Sequence, residues 1–225
     1  MAELNINIPV ASLKAPTSWG SRAQIKSMIQ RIWEKYGLYI QEAAKNSNIP
    51  PSVITSFMAV ESGGNERAGS SGHVTQGLMQ WNRNYAQSQL KDELAKGRMT
   101  EGEKNILKKY GVMSNDGGIR AVTNADQLKP ELNITIGCIV LGQLIDQKWG
   151  SSNGTLHLDR VISVYNAGAY GDTGKKARQL TTPALSTPLS LANNVNKITS
   201  AYIAKIIGVN GALDIATSDF KNIII

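Results

Sequence analysis

The sequence predicts a mainly α protein, with strand limited to short pieces. Apolar residues recur at helical spacing in several long segments, and no long run alternates in the way a half-buried strand would. A hydrophobic content of 41% over 225 residues is enough to bury a real core, in one sizeable domain or two small ones. The helical sum favours one domain. Residues 1–20 read as an irregular arm, 21–208 as the helical domain with a helical insertion at about 83–129, and 209–225 as a tail.

In chain order, Asn5 to Ile8 alternate like a short strand before Pro9 and Pro16 interrupt. Ser21 is placed to cap a helix in which Ile25, Met28, Ile29, Ile32, Trp33 and Tyr36 share a stripe. Gly37 is expected to break or bend it, leaving 38–45 as a second helix. Asn48, Pro50 and Pro51 end that element and start the next, since proline is tolerated in a first turn. In residues 51–61, Val53, Phe57 and Glu61 fall on one face, with Ile54 and Met58 beside them, and Gly63-Gly64 supplies a helix stop. Residues 62–82 are rich in Gly and Ser and read as a loop or short hairpin. Residues 85–110 read as charged helix with a joint at 99–103, and 111–126 as loop. Residues 133–149 are apolar nearly all round, which marks a central helix. A further helix over 158–167 stops at Gly168, 181–188 is a linker, and 189–207 is a last long helix.

A net charge of +7 suits either a polyanionic partner, such as a cell-wall polymer, or ordinary solubility. The basic residues are dispersed, so nucleic-acid recognition is not expected. Cys138 is the only cysteine, which excludes an internal disulfide, and His73 and His157 are far apart, so neither metal nor cofactor is expected. The amino terminus carries an early acid and no basic leader, and the apolar run 136–145 is too short to span a bilayer. Synthesis in a cytoplasm without an export address is the expectation.

Glu61 is the informative residue, because a carboxylate continues an apolar helical stripe. Near a helix C-terminus, and partly desolvated by Phe57 and Met58, its charged form is disfavoured and its pKa is expected to rise, as a general acid requires. The alternative is a surface glutamate just past the core stripe.

Three separated segments then matter together: Glu61-Ser62-Gly63 with Ala68-Gly69-Ser70 and Gly77-Leu78-Met79-Gln80; Pro130 to Ile134 with Gly137 and Leu141; and Val164-Tyr165-Asn166-Ala167-Gly168. In type and order they resemble the soluble lytic transglycosylases over roughly residues 21–208. The resemblance implies a lysozyme-like helical domain, with a short β-hairpin or loop region beside the active-site cleft, that cleaves peptidoglycan glycan strands. It implies Glu61 as the catalytic acid, Ser70 near the substrate, Met79 and Gln80 facing the cleft, Tyr165 approaching the carboxylate, Asn166 in the same wall, and Tyr202 on the last helix. Residues 71–76 and the long stretch 80–130 depart from the family pattern, and Trp81 stands where a smaller residue is usual, offering a sugar-stacking face.

Ordinary glycosidases use two carboxylates. In this family one suffices: Glu61 would protonate the glycosidic oxygen and then assist attack by the sugar's own C6 hydroxyl, leaving a 1,6-anhydromuramoyl end. No aspartate lies between Glu61 and Asp92, and Glu66 is badly phased. Asp172 is the best candidate for a second carboxylate in the rival reading, a goose-type-lysozyme-like hydrolase. A non-catalytic cell-wall-binding or virion module is the third. A phage virion protein, or a protein exported by a dedicated machine, would suit the amino terminus, and Ile223 to Ile225 would dock into such an assembly or pack back.

Overall fold

The computed structural model describes residues 3–4, 9–69, 74–152, 155–168, 172–179 and 188–220. They form two units, Met28–Gln143 and a second made of Met1–Ser27 with Leu144–Ile225.

The continuous unit begins within α1 (Arg22–Ser47), whose Ile29, Ile32, Tyr36, Ile40 and Ala43 are buried at successive three- and four-residue steps. Gly37 does not break this helix. A glycine inside a helix costs about 1 kcal/mol against alanine, less than burying a single Ile contributes, so the apolar stripe carries the helix through. In α2 (Pro51–Ser62), Val53, Ile54, Phe57 and Met58 are buried, with proline in the first turn.

The stretch 83–129 holds three helices, each with a side-chain cap. Asn82 accepts from the Tyr85 N–H ahead of α3 (Arg83–Ala95), while Thr100 with Glu103 and Thr123 with Asp126 form reciprocal capping boxes on α4 (Glu101–Lys109) and α5 (Asn124–Gln127). Burial raises the Glu103 carboxyl above its ordinary range, against the lowering effect of the Thr100 bonds. Gly102 permits α4 to approach α1, since a Cβ there would lie 2.1 Å from Asn46 Oδ1. The central helix α6 (Pro130–Ile145) is buried at every position from Glu131 to Leu141, its mostly apolar side chains interrupted by Glu131, Asn133 and Thr135. Glu131 accepts from the Tyr110 hydroxyl at 2.6 Å and Lys109 Nζ at 2.5 Å.

The second unit is discontinuous in sequence. The stretch read as an irregular arm contains strand β2 (Val10–Lys14), which pairs in parallel with β5 (Gly208–Val209). Strand β1 (Glu3–Leu4) pairs in parallel with β4 (Thr155–Leu156), itself antiparallel to β3 (Ser151–Ser152). Helices α7 (Leu158–Ala167), α8 (Asp172–Ala177), α9 (Pro188–Asn194), α10 (Lys197–Ile207) and α11 (Ala212–Asp219) complete it. The single helix expected over 189–207 is two. Asn196 caps α10, its side chain accepting the Thr199 N–H at 2.9 Å, and this local bond interrupts the helix that periodicity alone would continue. The segment expected as a tail carries α11, which the Arg22 guanidinium holds by bonds to Asp219 Oδ1 (2.7 Å), Ser218 Oγ (2.8 Å) and Asp214 Oδ2 (3.2 Å). Arg22 keeps the Asp219 carboxyl below its usual range. The apolar residues 223–225 lie outside the described residues. No described helix is long and apolar enough to cross a membrane.

Asp126 is 2% exposed and takes two bonds from Arg120, at 2.7 and 3.1 Å, besides the Thr123 N–H and Lys129 Nζ. Burial alone would raise its pKa, but these donors hold it well below the usual carboxylate range. A depressed carboxyl stabilises the fold above its unfolded pKa of about 4 and loses that contribution as pH falls toward the folded value. Asp126→Asn is therefore expected to lower stability at pH 7 by about 2 kcal/mol. The gap between variant and wild type should shrink in denaturation midpoints taken near pH 3.

Candidate active site

Glu61 stands one residue before the end of α2, partly exposed, where the buried stripe of that helix meets solvent. The helix end is fixed by its neighbours. Gly63 takes the left-handed conformation at φ 61° and donates its N–H to Ala59 O, and Ser62 Oγ donates to Met58 O at 3.0 Å while accepting the Gly64 N–H at 3.1 Å. Gly64, at φ 81°, leaves no room for a side chain, because a Cβ would meet Ile32 Cγ1 at 2.6 Å. Both expected stop residues thus act as stops, and the serine following Glu61 works as a clip on the last turn. Glu66 is taken up elsewhere. Its carboxylate lies 3.1 Å from Lys35 Nζ and accepts from the Tyr36 hydroxyl at 3.0 Å, and these partners hold its pKa below the ordinary range.

The loop that follows is held by buried amides. Asn133 of α6 is fully buried. Its Oδ1 accepts the Met79 N–H at 2.9 Å, and its Nδ2 donates to Gln127 O at 2.8 Å and Gln76 O at 3.2 Å. Its backbone carbonyl accepts from Trp81 Nε1 at 2.9 Å. Gln127, also fully buried, donates Nε2 to Val74 O and Trp81 O. Gly77, at φ 86°, is required here, since a Cβ would lie 2.2 Å from Gln127 O. Gln80 has φ 46°, a conformation uncommon without glycine, and its side chain curls back to donate to Gly77 O at 2.7 Å and Ala68 O at 2.9 Å. Of the expected strand content in 62–82, the described residues show one bridge, Thr75 with Asn82.

These positions correct two sequence expectations. Met79 is fully buried rather than on a cleft wall, packed where Gly137 has no side chain: a Cβ on Gly137 would sit 2.4 Å from Met79 Sδ. Trp81 is 2% exposed, its indole drawn inward by the Asn133 carbonyl, and offers no stacking face. Leu78 is core, and Gln80 remains partly exposed. Ser70 and His73 lie outside the described residues.

In the discontinuous unit, α7 packs on α10. Tyr165 and Asn166 close α7 and are partly exposed, while Tyr202 on α10 is 7% exposed. Asn166 Oδ1 accepts from Thr199 Oγ1 at 2.9 Å, one turn before Tyr202. Asp172 is exposed in the first turn of α8. Among the described residues no His, Cys, Asp and Glu cluster suits a metal ion, and Cys138 is buried, with its pKa pushed up by burial.

Residues 38–184, well over half of the chain, match the sequence model of the transglycosylase SLT domain. The chain belongs to that family. Among solved structures, the chain is similar to the lytic transglycosylase Slt from Pseudomonas aeruginosa, solved as an inactive Glu-to-Gln mutant. The TM-score is 0.51 at 19% identity, over 83% of this chain and 24% of that one, a likeness of fold. No curated protein matches the chain significantly.

Asn133 and Gln127 carry the site loop. In the sequence the first lies in a motif without an assigned role and the second has none, although an amide inside a mostly apolar central helix is a readable signal. Asn133→Ala would remove the bonds to Met79 N–H, Gln76 O and Gln127 O, at about 1 kcal/mol each. A loss of roughly 3 kcal/mol is expected, with the Met79 amide losing hydrogen-exchange protection first.

Proposed function

We propose that this SLT domain is a peptidoglycan lytic transglycosylase in which Glu61 acts first as general acid and then as general base. The observation that carries the reading is Glu61 at the clipped end of a buried helix, ahead in sequence of the loop that Asn133 and Gln127 hold. The family match and the existence of an inactive Glu-to-Gln form of the P. aeruginosa protein support a glutamate as the working group.

The reaction balances on one carboxyl. Glu61 donates its proton to the bridging oxygen between N-acetylmuramic acid and N-acetylglucosamine, and the bond from the muramoyl C1 to that oxygen breaks. The C6 hydroxyl of the same muramoyl residue then bonds to C1 and gives its proton to the Glu61 carboxylate, restoring the acid. No water is consumed, and an attacker already tethered to the reacting carbon benefits from a high effective molarity. Gln80, Tyr165, Asn166, Ser70 and Tyr202 are proposed to hold the strand. Met79 then serves by packing under the loop rather than by touching sugar.

Digestion of purified sacculi by Glu61→Gln is expected to fall by at least ~10², with unchanged circular dichroism and melting. Wild-type turnover in a folded variant would remove Glu61 from the mechanism. Released muropeptides are expected to end in 1,6-anhydromuramic acid by mass spectrometry, and Asp172→Asn should leave the rate within about threefold, as for a surface change. Reducing ends, together with an inactive Asp172→Asn protein, would instead establish a hydrolase that uses water.

A further inference from the structure

Gly37 sits in the middle of α1, on a partly exposed face, where glycine weakens a helix and no core packing asks for it. Its immediate neighbour is the indole of Trp33, one turn earlier: a Cβ on Gly37 would lie 3.3 Å from Trp33 Cε2 and 3.4 Å from Cδ2. The missing side chain lets the ring lie flat along the helix. Leu38 follows at 81% exposure and Tyr39 at 37%, both among the exposed large hydrophobic residues of the described chain. Together Trp33, Glu34, Gly37, Leu38, Tyr39 and Gln41 line a notch of about 320 Å³, near the lower end of small-ligand sites.

We infer that this notch is a carbohydrate-binding platform that takes a β-1,4-linked N-acetylated glycan strand. A pyranose ring has an apolar face of C–H groups and a rim of hydroxyls and amides. The notch offers the complement, with the Trp33 indole over Gly37 for the face, the Glu34 carboxylate and Gln41 amide for the rim, and the Tyr39 phenol at the far edge. A protein partner would ask for a broad, mostly apolar patch. Here Leu38 is ringed instead by exposed Glu34, Lys35, Gln41 and Glu42. The choice of polymer rests on the peptidoglycan reading above. Glycan held on α1 would keep the domain on the wall between cleavage events.

The test uses the full chain carrying Glu61→Gln, so that binding is read without turnover and stands apart from the fate of the catalytic proposal. Co-sedimentation with purified sacculi is expected to show half-saturation raised about tenfold by Trp33→Ala and by Tyr39→Ser, the worth of one aromatic contact. Titration with the β-1,4-linked tetramer of N-acetylglucosamine should quench tryptophan emission. Trp33→Phe, which keeps a stacking ring, should lose the quench while retaining sacculus binding. Tyr39→Ser, at the more exposed position, answers the question if Trp33→Ala fails to fold. Unchanged half-saturation in the folded variants overturns the platform. So does a concentration-dependent dimer that Leu38→Ser dissolves while sacculus binding is untouched, since the face would then belong to a second copy of the chain.

Discussion

The carboxamide of Asn133 is the point through which the candidate site is built. A buried helix such as α6 would normally carry only apolar side chains, because an unpaired amide there costs several kcal/mol. Asn133 meets that cost by satisfying three backbone groups from two other segments, Met79 N–H, Gln76 O and Gln127 O. Buried backbone groups of a loop need such partners, since a loop packed on a helix has no regular ladder to supply them. Backbone need and side-chain need cancel each other. The left-handed turn at Gln80, the inward Trp81 and the lack of a side chain at Gly77 all follow from holding the loop against α6 in this way.

That arrangement explains what the sequence made legible. Burial periodicity located α1, α2, α6 and α7, because the apolar stripe of each is long enough to outweigh local preferences. The stop at Gly63-Gly64 was readable because two glycines with positive φ leave few alternatives. The misreadings came where a local preference and the wider packing pulled in opposite directions. Gly37 suggested a break, yet five buried positions on the same face of α1 outweigh a single glycine. The reverse happened at 195–196, where one Asn cap ends a helix that hydrophobic spacing alone would have continued.

In the loop of the candidate site, side-chain orientations were not legible in the sequence. Met79 and Trp81 belong to a segment whose resemblance to a cleft-lining element suggested exposure, but which way each side chain turns depends on the absence of a Cβ at Gly137 and on the carbonyl of Asn133, both more than fifty residues away. Glu66 is the converse case. Its phase on a helix argued against a catalytic role before any partner was known, and Lys35 with Tyr36 supplies the physical reason.

The parallel pairing of β2 with β5, reinforced by the Arg22 fork on α11, has a consequence for how the chain reaches its native state. Met28–Gln143 is continuous and can bury its own core as soon as it has been synthesised. The other unit needs residues 10–14 to find 208–209 across nearly the whole chain, a closure whose entropic cost grows with the logarithm of the intervening length. During synthesis the first strand therefore waits unpaired until the last turns emerge. The exposed and charged character of that strand, with Ala11, Ser12 and Lys14 turned to solvent, keeps it from joining other edges in the interval.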